Sequence, residues 1–201
     1  MNVLIIIDVQ NDFMPGGSLA VPQADRIVPI INQIQEKFDL VVATQDWHPA
    51  NHQSFASNNP GKNVFEIIDL QGVEQTLWPD HCVQGTVGAE FHPMLDLRSV
   101  GAIFRKGMAP ETDSYSCFYD NARKKSTGLL GYLREKKATR LYFCGLCSDI
   151  CVYYSIKDAL DEGFSCVLLE DAACPLDEEK YQMIREELLG REVVILVMGE
   201  L

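Results

Sequence analysis

The stretch Thr139-Arg140-Leu141-Tyr142-Phe143-Cys144-Gly145-Leu146-Cys147-Ser148-Asp149-Ile150-Cys151-Val152 decides how this chain is read. Its first five residues are short, apolar and β-prone, the pattern of a buried strand. Beyond the turn, Ile150, Val152, Tyr153, Ile156, Ala159 and Leu160 recur at near-helical spacing as far as Gly163, a C-terminal stop signal. A strand therefore becomes a helix through Gly145. Three of the seven cysteines sit at that turn, and Cys151 falls in the first turn of the helix. Backbone N–H groups point out of such a terminus and favour a thiolate, so a cysteine placed there can be unusually acidic. The alternative is three small, inert core cysteines, since free Cys is among the most buried residue types.

The same alternation extends in both directions. Residues 3–7 are a continuous Val/Leu/Ile run, as in a strand buried on both faces. The run ends at Asp8 and is followed by a loop through Pro15, Gly16 and Gly17. Residues 24–38 place Ile27, Ile30, Ile31 and Ile34 on one face of an amphipathic helix. Strands are expected at 39–44, 102–105, 165–169 and 193–197, the third of these closed by Glu170-Asp171. Helices are expected at 126–137, with Leu129, Leu130 and Leu133 inward, and at 178–189. Residues 45–97 are rich in Pro, Asn, Gly and His and weakly periodic, and an irregular region this long in a compact domain is usually functional. Strand and helix alternating from end to end predict an α/β protein: one domain over residues 1–201, three layers α/β/α, with a six-stranded, mostly parallel, doubly wound sheet. Right-handed crossovers then bring every strand's C-terminal end to one edge, where open α/β sheets hold their ligands.

Composition narrows the classes of partner. Seventeen basic against twenty-nine acidic side chains leave a net charge of -12, which argues against nucleic-acid and acidic-membrane surfaces. No apolar run approaches the ~20 residues of a membrane span. The first seven residues lack the basic segment of a secretion signal and lead straight to Asp8. Seven irregularly spaced cysteines do not form a disulfide framework. Free thiols in a reducing cytoplasm are the expectation.

Three strand ends deliver Asp8, Lys106 and, just beyond the turn, Cys151 to the same rim. An acid, a base and a thiol together suit nucleophilic catalysis: the cation favours the thiolate and the carboxylate shuttles protons. If the strand ending at Lys106 lies two places from the first, a gap of ~10 Å is within reach of two converging side chains. Alternatively, Asp8 caps its turn and Lys106 is a solvated strand-end charge. In the long irregular region, Asp46 and His48 follow the second strand and His81 lies in Trp78-Pro79-Asp80-His81-Cys82. Carboxylate and imidazole suit Zn, Fe or Mn with open positions for a substrate, although hydrogen-bonded loop histidines would look the same. His48 and His52 are four apart, but Pro49 makes this a loop and no His-Glu-x-x-His is present, which excludes a zincin-type protease. Cys144-x-x-Cys147 has the spacing of a redox pair, yet it straddles a strand end and lacks proline. Phe13, Trp78 and Tyr115 are loop aromatics, either core plugs or walls for a flat ring.

Several ordered blocks carry a resemblance along essentially the whole chain. They are Ile7-Asp8-Val9-Gln10-Asn11-Asp12-Phe13 with Pro15-Gly16-Gly17-Ser18-Leu19, Thr44-Gln45-Asp46-Trp47-His48-Pro49, Leu77-Trp78-Pro79-Asp80-His81-Cys82, Arg105-Lys106-Gly107, Asp113-Ser114-Tyr115-Ser116 and Gly145 to Val152. With these, the chain resembles the isochorismatase-like cysteine hydrolase family, and within it the nicotinamidases (pyrazinamidases). The resemblance implies an Asp8–Lys106–Cys151 triad and one divalent metal, Zn before Fe or Mn, on Asp46, His48 and His81. It further implies a cis peptide at Leu146–Cys147 and an oxyanion hole from the backbone N–H groups of Cys147 and Cys151. Phe13, Trp78 and Tyr115 would hold the ring of nicotinamide, which a Cys151 thioester would convert to nicotinate and ammonia in NAD salvage; pyrazinamide would be a second substrate. Cys147 stands where alanine is common in the family, and Cys117 where glycine is; His52 is a metal ligand in some relatives. Isochorismatases proper lack the nucleophilic cysteine, and N-carbamoylsarcosine-type amidohydrolases lack the metal set. A redox or metal-binding module would leave Asp8 and Lys106 unexplained. Which metal, which aromatic amide and whether the chain forms a homo-oligomer stay open at this level.

Overall fold

A computed structural model describes residues Met1–Leu201. Six parallel strands form the sheet: β1 (Asn2–Ile7), β2 (Leu40–Asp46), β5 (Val100–Lys106), β6 (Arg140–Leu146), β7 (Ser165–Cys174) and β8 (Val194–Leu196). Their order is β5-β2-β1-β6-β7-β8. β1 is central, and Val3 through Ile7 have no exposed surface because both faces of the strand are covered. From β1 the chain winds one way through β2 to β5. It then crosses to β6 and winds the other way through β7 to β8. The reversal between β1 and β6 is the position at which such sheets open a crevice at their C-terminal edge.

Right-handed crossovers assign the helices to faces. α1 (Ile27–Ile34) covers one face and packs against β7. On the other lie α2 (Leu129–Glu135), α3 (Cys151–Asp161) and α4 (Glu178–Gly190), joined by Arg134 to Glu162 and by Tyr153 to Glu187. The three-layer, doubly wound α/β architecture is as the alternation of strand and helix predicted, with every strand of the main sheet parallel. No helix is long and apolar enough to cross a membrane.

Three local departures have identifiable causes. The first helix is α-helical only over Ile27–Ile34 and is flanked by 3-10 turns. β7 does not stop at Glu170-Asp171 but runs to Cys174, with a register shift against β6 between Phe143 and Gly145. The two acids are satisfied in place: Glu170 accepts from Arg185 and Tyr181, and Asp171 from the Met198 N–H. The long irregular region also contains an antiparallel hairpin, β3 (Ile67–Leu70) and β4 (Val73–Thr76). Its turn residues, Gln71 at φ 55° and Gly72 at φ 85°, both have the left-handed backbone that a two-residue hairpin turn needs.

One glycine sets the geometry of the rim. Gly145 pairs with Ile7 at φ 109°, and a Cβ there would overlap the Ile7 carbonyl oxygen. Only a residue without a side chain lets the end of β6 lie against the end of β1. The turn leading to Cys151 therefore starts beside Asp8.

Candidate active site

Asp8 follows β1 directly, with its backbone at φ 48°. Thr44 on β2 fixes the side chain: its hydroxyl donates to Asp8 Oδ1 at 2.7 Å and accepts the Asp8 N–H at 3.2 Å. The other oxygen, Oδ2, forms a buried ion pair with Lys106 Nζ at 2.9 Å. Lys106 ends β5, paired in register with Asp46 at the end of β2. Its ammonium donates to Asp46 Oδ1 at 2.6 Å and to the Ser114 carbonyl at 2.9 Å, and lies 3.6 Å from Cys151 Sγ. The Asp8 and Asp46 carboxylates and the Cys151 sulfur all lie within 4.8 Å of one another. Exposure is 0 % for Asp8, 2 % for Lys106 and 6 % for Cys151, so these charges interact with little screening by water.

Burial decides the protonation pattern. It raises Asp8 to about 6, against the opposing pull of Lys106. Burial acts upward on Asp46 too, but Lys106 and His48 outweigh it and hold that carboxyl below the usual range. Lys106 is kept charged by Asp46 and Asp8 despite its own desolvation. Cys151 is pushed well above the ordinary thiol value, because burial and the two carboxylates exceed the effect of Lys106. The helix terminus and Lys106 are thus opposed by burial at this thiol, which is pushed up beside the raised Asp8 carboxyl.

The Leu146–Cys147 peptide is cis, at the position the resemblance implied. Ile150 and Val152 donate their N–H groups to the Cys147 carbonyl at 3.0 and 3.1 Å, which closes the turn. The N–H groups of Cys147 and Cys151 themselves have no acceptor in the protein. Both residues line the same pocket, where two unpaired donors can stabilise a developing oxyanion.

Asp46, His48 and His81 bring ligand atoms within 4.8 Å of one another. His48 Nδ1 bonds the Gly107 carbonyl at 2.9 Å and His81 Nδ1 bonds the Pro79 carbonyl at 2.8 Å. These outer bonds orient the rings and leave each Nε2 as the coordinating atom. A side chain at Gly107 would collide with the His48 ring. Burial and neighbouring His48 lower His81 to about 4, so it is neutral. Burial acts downward on His48, but the Asp46 carboxylate outweighs it and raises that imidazole. One carboxylate and two imidazoles, each ring braced from behind, fit a Zn, Fe or Mn ion with positions left open. His52 adds a third imidazole: its ring lies 4.6 Å from that of His48, its Nδ1 is 2.7 Å from Ser54 Oγ, and its buried Nε2 has no partner.

Between these groups lies a pocket of about 330 Å³. Phe13, Trp78 and Tyr115 line it, together with Leu19, Ile150 and Leu176. The Phe13 ring is 5.5 Å from His81 and the Trp78 ring 6.2 Å from Tyr115, and the three predicted aromatics share one cavity with Cys151, Asp46, His48 and His81, while Asp8 and Lys106 lie behind its wall. Of the other thiols, Cys147 faces this pocket while Cys144 is directed at the Ile5 carbonyl of β1, and all seven cysteines are free. That arrangement does not favour a Cys144–Cys147 redox pair.

Several contributors were not singled out from the sequence. Asp113 lines the pocket and, with His48 and His52, forms a second cluster of potential ligand atoms. Gln75, from the unexpected hairpin, donates to the Tyr115 hydroxyl at 3.0 Å and to Asp113 Oδ2 at 3.2 Å. The Gln71-Gly72 turn between two short apolar segments was the signal available for that hairpin. Asp12 accepts the Cys82 N–H at 2.7 Å and so braces the loop carrying His81.

Known proteins resemble this chain in sequence and in fold. The Isochorismatase domain family matches residues 2–196. The nicotinamidase of Acinetobacter baylyi is 50% identical over 174 residues, covering 87% of this chain and 81% of that protein. Among solved structures, the nicotinamidase/pyrazinamidase of Acinetobacter baumanii superposes with a TM-score of 0.96 at 44% identity, covering 99% of this chain and 97% of that one. The pyrazinamidase of Pyrococcus horikoshii, solved in complex with zinc, gives a TM-score of 0.81 at 36% identity over 98% of both chains. With the family match and the fold in agreement over nearly its full length, the chain belongs to the isochorismatase family.

Proposed function

We propose that this protein is a nicotinamidase, a single-domain amidohydrolase converting nicotinamide to nicotinate and ammonia, and pyrazinamide to the corresponding acid. The observation that carries this reading is the convergence of Asp8, Lys106 and Asp46 on Cys151, which lines an aromatic-walled pocket together with Asp46, His48 and His81. The nicotinamidases among its relatives support the choice of substrate. A divalent ion held by Asp46, His48 and His81, zinc before iron or manganese, would supply a Lewis-acidic anchor for a pyridine nitrogen.

Phe13, Trp78 and Tyr115 hold the ring and aim the carboxamide carbon at Cys151 Sγ. Asp8, whose Oδ2 lies 2.9 Å from the Lys106 ammonium, takes the thiol proton as the sulfur attacks. The new oxyanion is met by the N–H groups of Cys147 and Cys151, and a donor of this kind is worth ~3 kcal/mol. The tetrahedral adduct collapses as Asp8 returns the proton to the leaving nitrogen, releasing ammonia and leaving a thioester. Asp8 then takes a proton from water, whose oxygen attacks the thioester carbon. Nicotinate departs and Cys151 recovers its proton. Lys106 stays charged throughout, restraining the rise in the Asp8 value and favouring the transient thiolate. This activity would serve NAD salvage in the cytoplasm.

Ammonia release from nicotinamide tests the reading. Chelator treatment is expected to abolish turnover, and zinc, iron or manganese add-back to restore it. A metal-loaded protein that releases no ammonia would sink the proposal. The pH profile provides a further expectation. Asp8 must be ionised to accept the thiol proton, and burial raises it to about 6. A base of raised value is lost on acidification, so kcat/KM should fall about tenfold per pH unit below that point. A profile flat down to pH 4.5 would show that another group is the base.

A further inference from the structure

Asp149 lies between the two oxyanion donors but does not line the pocket. The residue is 1 % exposed. Its Oδ1 accepts the Leu176 N–H at 2.8 Å and Oδ2 the Asp177 N–H at 3.2 Å, 27 and 28 residues away. Pro175 has no N–H, so every backbone donor of the loop 175–177 depends on this one carboxylate. The neighbouring Ser148 N–H reaches the Cys174 carbonyl at 2.8 Å, and Asp177 caps α4 by accepting the Lys180 N–H at 3.0 Å. Leu176, at the centre of this loop, is part of the pocket wall. A buried carboxylate satisfied only by amide donors is costly to keep, and a local turn could be closed without it. Its partners are distant, so its effect is to dock one loop onto another.

We propose that Asp149 is a positioning residue that holds Leu176 in the wall of the substrate pocket and thereby sets how tightly the substrate ring is gripped. This rests on reading the pocket as a nicotinamide site. The carboxylate touches no reacting atom, so its removal loosens ring binding more than it slows the chemistry.

The test uses the metal-loaded full chain with Asp149→Ala, Leu176→Ala, the double variant and Asp149→Asn. Removing a small part of an apolar wall is worth about tenfold, so Asp149→Ala and Leu176→Ala should each raise KM for nicotinamide about tenfold. kcat should change less than about threefold, the pattern of lost uniform binding. The double variant should be no worse than the single ones, because both act through one side chain. Hydrogen exchange at the Leu176 and Asp177 amides should speed up in Asp149→Ala. Asp149→Asn retains one acceptor and should fall between, and it serves if the alanine variant does not fold. Unchanged KM despite faster exchange, or KM effects that multiply in the double variant, would overturn the role of Asp149. Absence of ammonia release by the wild-type protein overturns the nicotinamide reading instead, together with the grip on that ring.

Discussion

Replacing Cys151 with alanine is expected to lower kcat for nicotinamide by about four to six orders of magnitude, the range seen when a nucleophile is removed from a site whose groups act as a unit. Asp8 and Lys106 would remain, yet neither offers a substitute atom at the carboxamide carbon. The aromatic walls and the donor set of Asp46, His48 and His81 do not involve the sulfur, so affinity for nicotinate, measured by calorimetry, should stay within about threefold. A variant retaining substantial ammonia release would remove Cys151 from the mechanism. Burial pushes the Cys151 thiol up, so slow alkylation of the metal-free wild-type protein at neutral pH is also expected.

The second large effect is expected at Lys106. Its ammonium lies between two buried carboxylates, 2.9 Å from Asp8 and 2.6 Å from Asp46. Lys106→Met preserves most of the length and removes the charge. Breaking a buried ion pair by deleting one partner costs about 3–5 kcal/mol, because the charge left behind is uncompensated. At about 2–4 °C per kcal/mol for a domain of this size, the metal-free variant should melt roughly 6–20 °C lower. The sign of the pH dependence distinguishes electrostatics from lost packing. Lys106 lowers the Asp8 value, so without it that value rises further above its ordinary 3.8. A carboxyl raised in the folded state favours folding below its unfolded value and loses that contribution as pH rises through the folded value. The deficit relative to wild type should therefore grow as pH rises above about 6, and the acid limb of kcat/KM should move above 6. A pH-independent deficit with an unmoved limb would reduce Lys106 to a packing residue.

Much of the site was legible in the chain because its residues sit at strand ends. Asp8, Asp46 and Lys106 each close an apolar run, and a parallel sheet brings such positions to one edge. The contributors that were not read belong to weakly patterned segments. Gln75 sits in a four-residue strand with only one fully buried position, too short to show alternation. Leu176 is a lone apolar residue after a proline, and its place in the wall depends on a carboxylate 27 residues earlier. Glu170 and Asp171 looked like a strand end, yet partners on α4 and beyond β8 let β7 continue through them.

By itself, the sequence determined the α/β class, the parallel winding, and the acid, base, thiol and imidazole residues carried to the rim. Continuous apolar runs and helical periodicity are local properties, and a right-handed crossover leaves few ways to connect them. Only the tertiary structure decided that Cys147 and Cys151 line the pocket, that the Lys106 ammonium sits between the Asp8 and Asp46 carboxylates, and that burial pushes the Cys151 thiol up. Those outcomes depend on desolvation and on charges from β1, β2, β5 and α3 acting at one point, a sum that no single stretch of chain contains.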